Sequence, residues 1–144
     1  MTEPTRRVLV LDSDESAVAF VRSALEADKY EVVGETNGAT GVVRARRERP
    51  HLIILDVYMI RHPGLYTLRD LKLDPRTKDI PVIMLSSVGR RLGVCFSTRD
   101  VCEHVGIEPD VLLEKPVDPT VLRGVAETLL GAARPKGERE MSGF

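Results

Sequence analysis

Short apolar runs alternate with segments of helical periodicity along nearly the whole chain, and this alternation constrains the fold more than any other feature. Each run is too short for a helix and lacks the polar alternation of a half-exposed strand. The runs therefore predict strands that are buried on both faces, as in a parallel sheet. They are Arg7–Leu11, Tyr30–Val33, His51–Asp56, Ile80–Leu85 and Val111–Leu113.

Between the strands, apolar residues recur at helical spacing. Ser13 and Asp14 are both suitable N-caps for the first helix. The remaining helices are expected over residues 39–48, 65–73, 98–105 and 119–130. Five strands alternating with five helices predict an α/β fold, with a doubly wound parallel sheet and helices on both faces.

Composition limits the classes of partner. A chain of 144 residues suits one domain, expected over residues 1–133, with a disordered tail over residues 134–144. The formal net charge of −1 provides no overall field that would attract nucleic acid or an anionic membrane. No apolar run approaches the roughly 18 residues of a membrane span, so we expect a cytoplasmic protein. In the reducing cytoplasm Cys95 and Cys102 are expected to be free thiols.

Four reactive side chains are expected at the carboxyl ends of the strands, where open α/β sheets bind ligands. Asp12, Asp56 and Ser86 end or follow strands one, three and four, and Lys115 follows strand five. A carboxylate can attack phosphorus, while a lysine and a divalent cation neutralise the transferred group. These side chains therefore predict phosphoryl chemistry, and the carboxylate oxygens among them suit Mg²⁺.

The chain resembles the receiver domain of two-component response regulators from about Arg7 to Leu130. The resemblance implies the flavodoxin-like strand order 2-1-3-4-5. It also implies a stand-alone regulator, not an enzyme, which accepts a phosphoryl group from a sensor histidine kinase or phosphotransfer protein. Its output would be altered binding to an unknown downstream protein. The motifs that carry the resemblance are Val8–Asp12, Leu55–Met59 with Gly64 downstream, Asp79–Ser86 and Glu114–Pro116.

The same resemblance implies a role for each site residue. Asp56 would be the phosphoacceptor and a ligand of Mg²⁺, and Asp12 would be a second ligand. The backbone carbonyl of Tyr58 would be a third metal contact. Ser86 would be the switch hydroxyl, and Lys115 would contact the phosphate. The peptide between Lys115 and Pro116 is often cis in this family.

Three features depart from the family pattern. Ser13 stands where a second acidic residue usually binds the metal, so Mg²⁺ should bind more weakly. Asp14 could partly substitute by reaching inward, or it could simply cap the first helix. Leu112 replaces the usual switch aromatic, and the segment between Ser86 and Lys115 is longer than usual. The signalling face should therefore select different partners.

These departures leave an alternative function open, a phosphorylation-independent interaction module with a degraded Mg²⁺ site. A hydrolase that uses Asp56 is less consistent with the sequence, because Tyr58 stands where its second Asp is usual. A flavin carrier is also less consistent, because no phosphate-binding loop follows strand one. The oligomeric state stays open, with a dimer through residues 88–130 as one arrangement.

Overall fold

The computed structural model describes residues 6–25, 30–59, 63–87 and 107–131. The helices and strands are numbered in chain order within these ranges. The strands are β1 (Arg6–Leu11), β2 (Tyr30–Glu35), β3 (Leu52–Asp56), β4 (Val82–Ser86) and β5 (Val111–Glu114). The helices are α1 (Glu15–Leu25), α2 (Gly38–Glu48), α3 (Gly64–Leu73) and α4 (Pro119–Gly131).

The five strands form one parallel sheet in the order β2-β1-β3-β4-β5, which confirms the predicted fold and strand order. From β1 the chain first adds β2 on one side and then crosses back to add β3 on the other. The strand order thus reverses between β1 and β3, and ligands bind at such a switch point in doubly wound sheets. The carboxyl ends of these two strands carry Asp12 and Asp56.

Two apolar clusters cover the two faces of the sheet, because successive strand residues point to opposite sides. Val8 and Val10 of β1 lie in the cluster under α1 and α4. Leu9 and Leu11 lie in the cluster under α2 and α3. Every residue of β3 and β4 is buried, whereas the apolar residues of β5 are only half-buried. Described helices therefore cover both faces of the sheet, as predicted.

Most predicted boundaries hold to within two residues. β4 begins at Val82, two residues after the predicted start at Ile80. Pro81 has no N–H to donate to a ladder, and the N–H of Val82 donates to the carboxylate of Asp110 at 2.7 Å. The second helix begins at Gly38 because the side chain of Asn37 caps it, accepting from the N–H groups of two following residues.

Some expectations fall outside the described residues. They are the helix over 98–105, the two cysteines, the longer segment after Ser86 and the tail over 134–144. No described helix is long and apolar enough to cross a bilayer.

Candidate functional site

The sheet brings the four predicted side chains to one edge. Asp12 and Asp56 are 2% and 5% exposed, and Ser86 is fully buried. The register pairs Ser86 with Glu114, the residue before Lys115. Asp12, Asp56, Ser86 and Lys115 thus lie at the ends of neighbouring strands, as the sequence indicated.

Lys115 bridges the two carboxylates. Its Nζ lies 2.9 Å from Asp12 Oδ2, to which it donates a hydrogen bond, and 3.3 Å from Asp56 Oδ1. Its backbone N–H donates to the carbonyl of Ser86 at 2.8 Å, which extends the β4–β5 ladder by one step. The Lys115–Pro116 peptide is cis. Backbone pairing therefore directs the ammonium group into the space between Asp12 and Asp56.

The site shifts the pKa values of both Asp56 and Lys115. Burial, and then the charge of Asp12, raise the pKa of Asp56, and Lys115 only partly counters the rise. For Lys115, burial favours the neutral amine, but the hydrogen bond to Asp12 and the charges of Asp56 and Asp12 outweigh it and raise the pKa. Lys115 is therefore charged at neutral pH, and Asp56 is a desolvated carboxyl group with one cationic neighbour.

The two carboxylates of the site outnumber its one ammonium group, so a further cation would be stabilised there. Asp56 Oδ1 is buried and accepts no hydrogen bond within the described ranges, and its nearest cation is the Lys115 ammonium at 3.3 Å. A buried carboxylate oxygen without a donor is costly unless a cation balances it. Asp12 and Asp56 offer the hard oxygen ligands that suit Mg²⁺, so the residues present fit this ion. The described residues contain no group of three or more His, Cys, Asp or Glu side chains arranged for a metal.

Asp14 caps helix α1. Its Oδ1 accepts from the N–H of Ser16 at 2.9 Å and from the Ser16 hydroxyl at 2.7 Å. These hydrogen bonds lower the pKa of Asp14. Its own N–H donates to Asp12 Oδ1 at 2.9 Å, which orients the Asp12 carboxylate. Of its two predicted roles, the N-cap is confirmed, and the contact with Mg²⁺ stays a prediction.

Tyr58 lies in the loop that follows Asp56. Its backbone N–H hydrogen-bonds the Asp56 carboxylate and opposes the rise in that residue's pKa. The Tyr58 side chain is 47% exposed. Contact of its carbonyl with Mg²⁺ remains a prediction. Leu112 pairs with Met84 and packs, half-buried, against the cluster under α2 and α3, so β5 carries an aliphatic side chain at this position.

Gly64 contributes to the site in a way that sequence reasoning did not identify. A Cβ at this position would overlap the carbonyl oxygen of Asp56 and would lie 2.8 Å from both Cα and O of Val57. The N–H of Gly64 also donates to the carbonyl of Val57 at 3.0 Å. The first turn of α3 therefore packs directly on the backbone of the acceptor, which only glycine allows. The motif indicated Gly64, but only this contact explains it.

A groove of about 450 Å³ opens beside the site between α1 and the segment after β5. One wall is formed by Ala17 and Phe20 of α1, and the other by Pro116 and Val117. Lys115 and Asp14 also line it. The groove thus leads from the protein surface to the lysine that bridges the two carboxylates.

Comparison with known proteins agrees with this geometry. The model of the response regulator receiver domain matches residues 8–127. Response regulator PleD of Caulobacter vibrioides is 33% identical over 116 residues, which are 81% of this chain but 24% of PleD. Protein PilH of Pseudomonas aeruginosa is 28% identical over 126 residues, which are 87% of this chain and 98% of PilH. The chain thus spans about a quarter of PleD and nearly all of PilH.

A solved structure shares the fold. The receiver domain of sensor histidine kinase PA1611 from Pseudomonas aeruginosa superposes with a TM-score of 0.76 at 19% identity. The match covers 90% of this chain and all of that one. In that protein a magnesium ion is coordinated in the active site cleft.

Proposed function

This chain belongs to the response regulator receiver domain family, and we propose that it is a stand-alone regulator phosphorylated on Asp56. Receiver domains are signalling modules of two-component systems. The phosphoryl donor would be a histidine kinase or phosphotransfer protein, and the output would be altered binding to a downstream protein in the cytoplasm. The match covers 98% of PilH, so in at least one relative a region like this chain makes up nearly the whole protein.

The observation that carries the proposal is the arrangement of Lys115 between two buried carboxylates. An ion pair gives a weak stability advantage at this position, since burying two carboxylates and half-burying an ammonium group costs free energy. The same arrangement suits phosphoryl transfer, in which a nucleophile must stand beside fixed positive charge. The orphaned Oδ1 of Asp56 is consistent with that use.

The chemistry follows from the residues. An Asp56 oxygen attacks the phosphorus of a phosphohistidine, a P–O bond forms as the P–N bond breaks, and the donor imidazole leaves with the electron pair. Lys115, already 3.3 Å from Asp56 Oδ1, neutralises charge on the transferred group. Mg²⁺, held by Asp12, Asp56 and the Tyr58 carbonyl, would supply further neutralisation. The Ser86 hydroxyl would then bind a phosphoryl oxygen and report the modification.

Because position 112 is not aromatic, the effect of phosphorylation must reach the binding surface without a rotating aromatic ring. Ser86 ends β4, and its carbonyl accepts from the N–H of Lys115. A phosphoryl group adds about −1.5 to −2 charges beside these residues at neutral pH. We expect the change to reach the surface through the β4 end and the half-buried β5 rather than through a rotating ring.

Intact-protein mass spectrometry tests the proposal. The protein is incubated with Mg²⁺ and a small acyl phosphate, with Asp56→Asn as the control. A phosphate mass increment in the wild type that is absent in Asp56→Asn supports phosphorylation on Asp56. An increment that persists in Asp56→Asn would place the phosphate elsewhere. A wild type that gains no mass over a range of Mg²⁺ concentrations would instead favour the phosphorylation-independent module.

A further inference from the structure

The hydroxyl of Ser13 contacts the thioether of Met59. Ser13 Oγ donates to Met59 Sδ at 3.8 Å, between residues 46 positions apart. Ser13 directly follows Asp12, and Met59 lies three residues after Asp56. The contact therefore joins the two loops that carry the carboxylates of the candidate site.

Met59 provides a fixed partner in this contact. Its side chain is 5% exposed and packs in the cluster under α2 and α3. The same cluster contains Leu11 and Leu55, the residues directly before the two carboxylates. A contact with Met59 thus holds Ser13 against the part of the core that supports both acids.

The residue at position 13 also determines the charge of the site. Asp12 and Asp56 contribute two negative charges and Lys115 one positive charge, which leaves a net charge of −1. An acidic residue at position 13 would place a third carboxylate beside the buried Asp12 and against a thioether. Its charge would lose part of its solvation against the thioether of Met59 and would repel Asp12, unless a cation balanced it. A serine avoids both costs.

We infer that Ser13 and Met59 form a neutral clasp, a hydrogen bond that holds the two carboxylate loops together without a metal ion, at the expense of affinity for Mg²⁺. The inference rests on the proposed function only in taking Asp12 and Asp56 as the carboxylates that face the cation. Ser13 acts here as a positioning residue. Because ligand-linked stabilisation scales with affinity, Mg²⁺ should stabilise this protein little at millimolar concentration.

A double-mutant cycle tests the clasp itself. Ser13→Ala removes the donor, and Met59→Leu removes the sulfur while nearly conserving volume. Thermal unfolding is measured in EDTA for the wild type, both single variants and the double variant. Each single variant should lower the Tm by about 1–3 °C, and the double variant should lose clearly less than the sum. Strictly additive losses would show that the two side chains do not interact and would overturn the clasp.

Titration calorimetry with Mg²⁺ tests whether serine at position 13 lowers the affinity for Mg²⁺ while stabilising the metal-free protein. Ser13→Asp should bind Mg²⁺ about tenfold more tightly than the wild type, because it adds a carboxylate ligand and a negative charge. In EDTA its Tm should be lower than that of the wild type, and Mg²⁺ should restore it. Ala19→Asp is the matched control, since Ala19 is an exposed residue of α1 and receives the same charge away from the carboxylates. Equal Mg²⁺ affinities for Ser13→Asp and Ala19→Asp would refute the inference.

These measurements use no phosphodonor, so they separate the clasp from the proposed function. A wild type that is never phosphorylated, but whose cycle is non-additive and whose Ser13→Asp variant gains Mg²⁺ affinity, would refute the function and support the clasp. A phosphorylated wild type with an additive cycle would refute the clasp alone.

Discussion

The close approach of α3 to the acceptor strand predicts that Gly64→Ala damages both stability and phosphorylation. A Cβ at this position would lie 2.8 Å from Cα and O of Val57, whereas such contacts are comfortable near 3.5 Å, so relieving them alone requires a movement of about 0.7 Å. The overlap with the carbonyl oxygen of Asp56 requires more. The hydrogen bond from the Gly64 N–H to the Val57 carbonyl resists that movement. Overpacking of this kind costs about 1–3 kcal/mol, or roughly 3–10 °C in Tm.

The displaced atoms include the carbonyl oxygen of Asp56, so the nucleophile should shift with them. Misplacement of a reacting group by about 1 Å can cost about 10²-fold in rate. We therefore expect Gly64→Ala to be phosphorylated at least about tenfold more slowly than the wild type by the same acyl phosphate. The rate is measured by intact mass at several times, at a temperature where both proteins are fully folded.

Gly124→Ala is the matched control for this substitution. Gly124 is also helical, but a Cβ there would have no neighbour within 4 Å. Alanine should therefore stabilise α4 by about 0.5–1 kcal/mol through helix propensity and leave the phosphorylation rate unchanged. A Gly64→Ala protein as stable as Gly124→Ala, and phosphorylated at the wild-type rate, would refute the steric reasoning.

Three other perturbations have definite signs. Burial and the charge of Asp12 raise the pKa of Asp56, so the ionised carboxylate destabilises the fold. Asp56→Asn should therefore raise the Tm at pH 7. The gain in Tm should vanish below about pH 4, where Asp56 is protonated in both the folded and the unfolded protein. Hydrogen bonds from Arg76 lower the pKa of Asp74 to about 2, so the stability they provide is present above about pH 4 and is lost as the pH falls toward 2. The Tm deficit of Asp74→Asn at pH 6 should therefore disappear in a pH series near pH 2, and a deficit independent of pH would contradict this. Asp110→Ala leaves the buried N–H of Val82 without its acceptor and should cost about 1–3 kcal/mol in urea unfolding, whereas an unchanged midpoint would show that the N–H finds another partner.

The sequence predicted the strands well because their signal is local. A run such as Leu52–Asp56 is apolar throughout, and in the sheet it is buried throughout. Boundaries were less accurate where the deciding group is distant, as at Val82, whose N–H is taken by the Asp110 side chain rather than by a strand. The motif spacing also placed Asp12, Asp56, Ser86 and Lys115 at one sheet edge, since parallel strands deliver their ends to the same side.

Asp14 illustrates what the sequence left open. An acid at the start of a helix can cap that helix or reach toward a neighbouring site, and both readings use the same residue in the same place. The choice depends on the side-chain rotamer and on Ser16, which donates twice to its carboxylate. Similarly, the sequence indicated that Ser13 departs from the family pattern, but not that its hydroxyl meets Met59.

The sequence by itself determined the order of elements, the covered sheet and the identity of the reactive residues, because these depend on apolar periodicity and on which residue ends each strand. Only the tertiary structure decided how those residues meet. Lys115 and Asp12 are 103 positions apart, and their 2.9 Å contact depends on the pairing of β5 with β4 and of β3 with β1. The approach of Gly64 to Asp56 depends likewise on how far α3 sits from the sheet. Distances between elements result from packing of the whole core, and no local pattern encodes them.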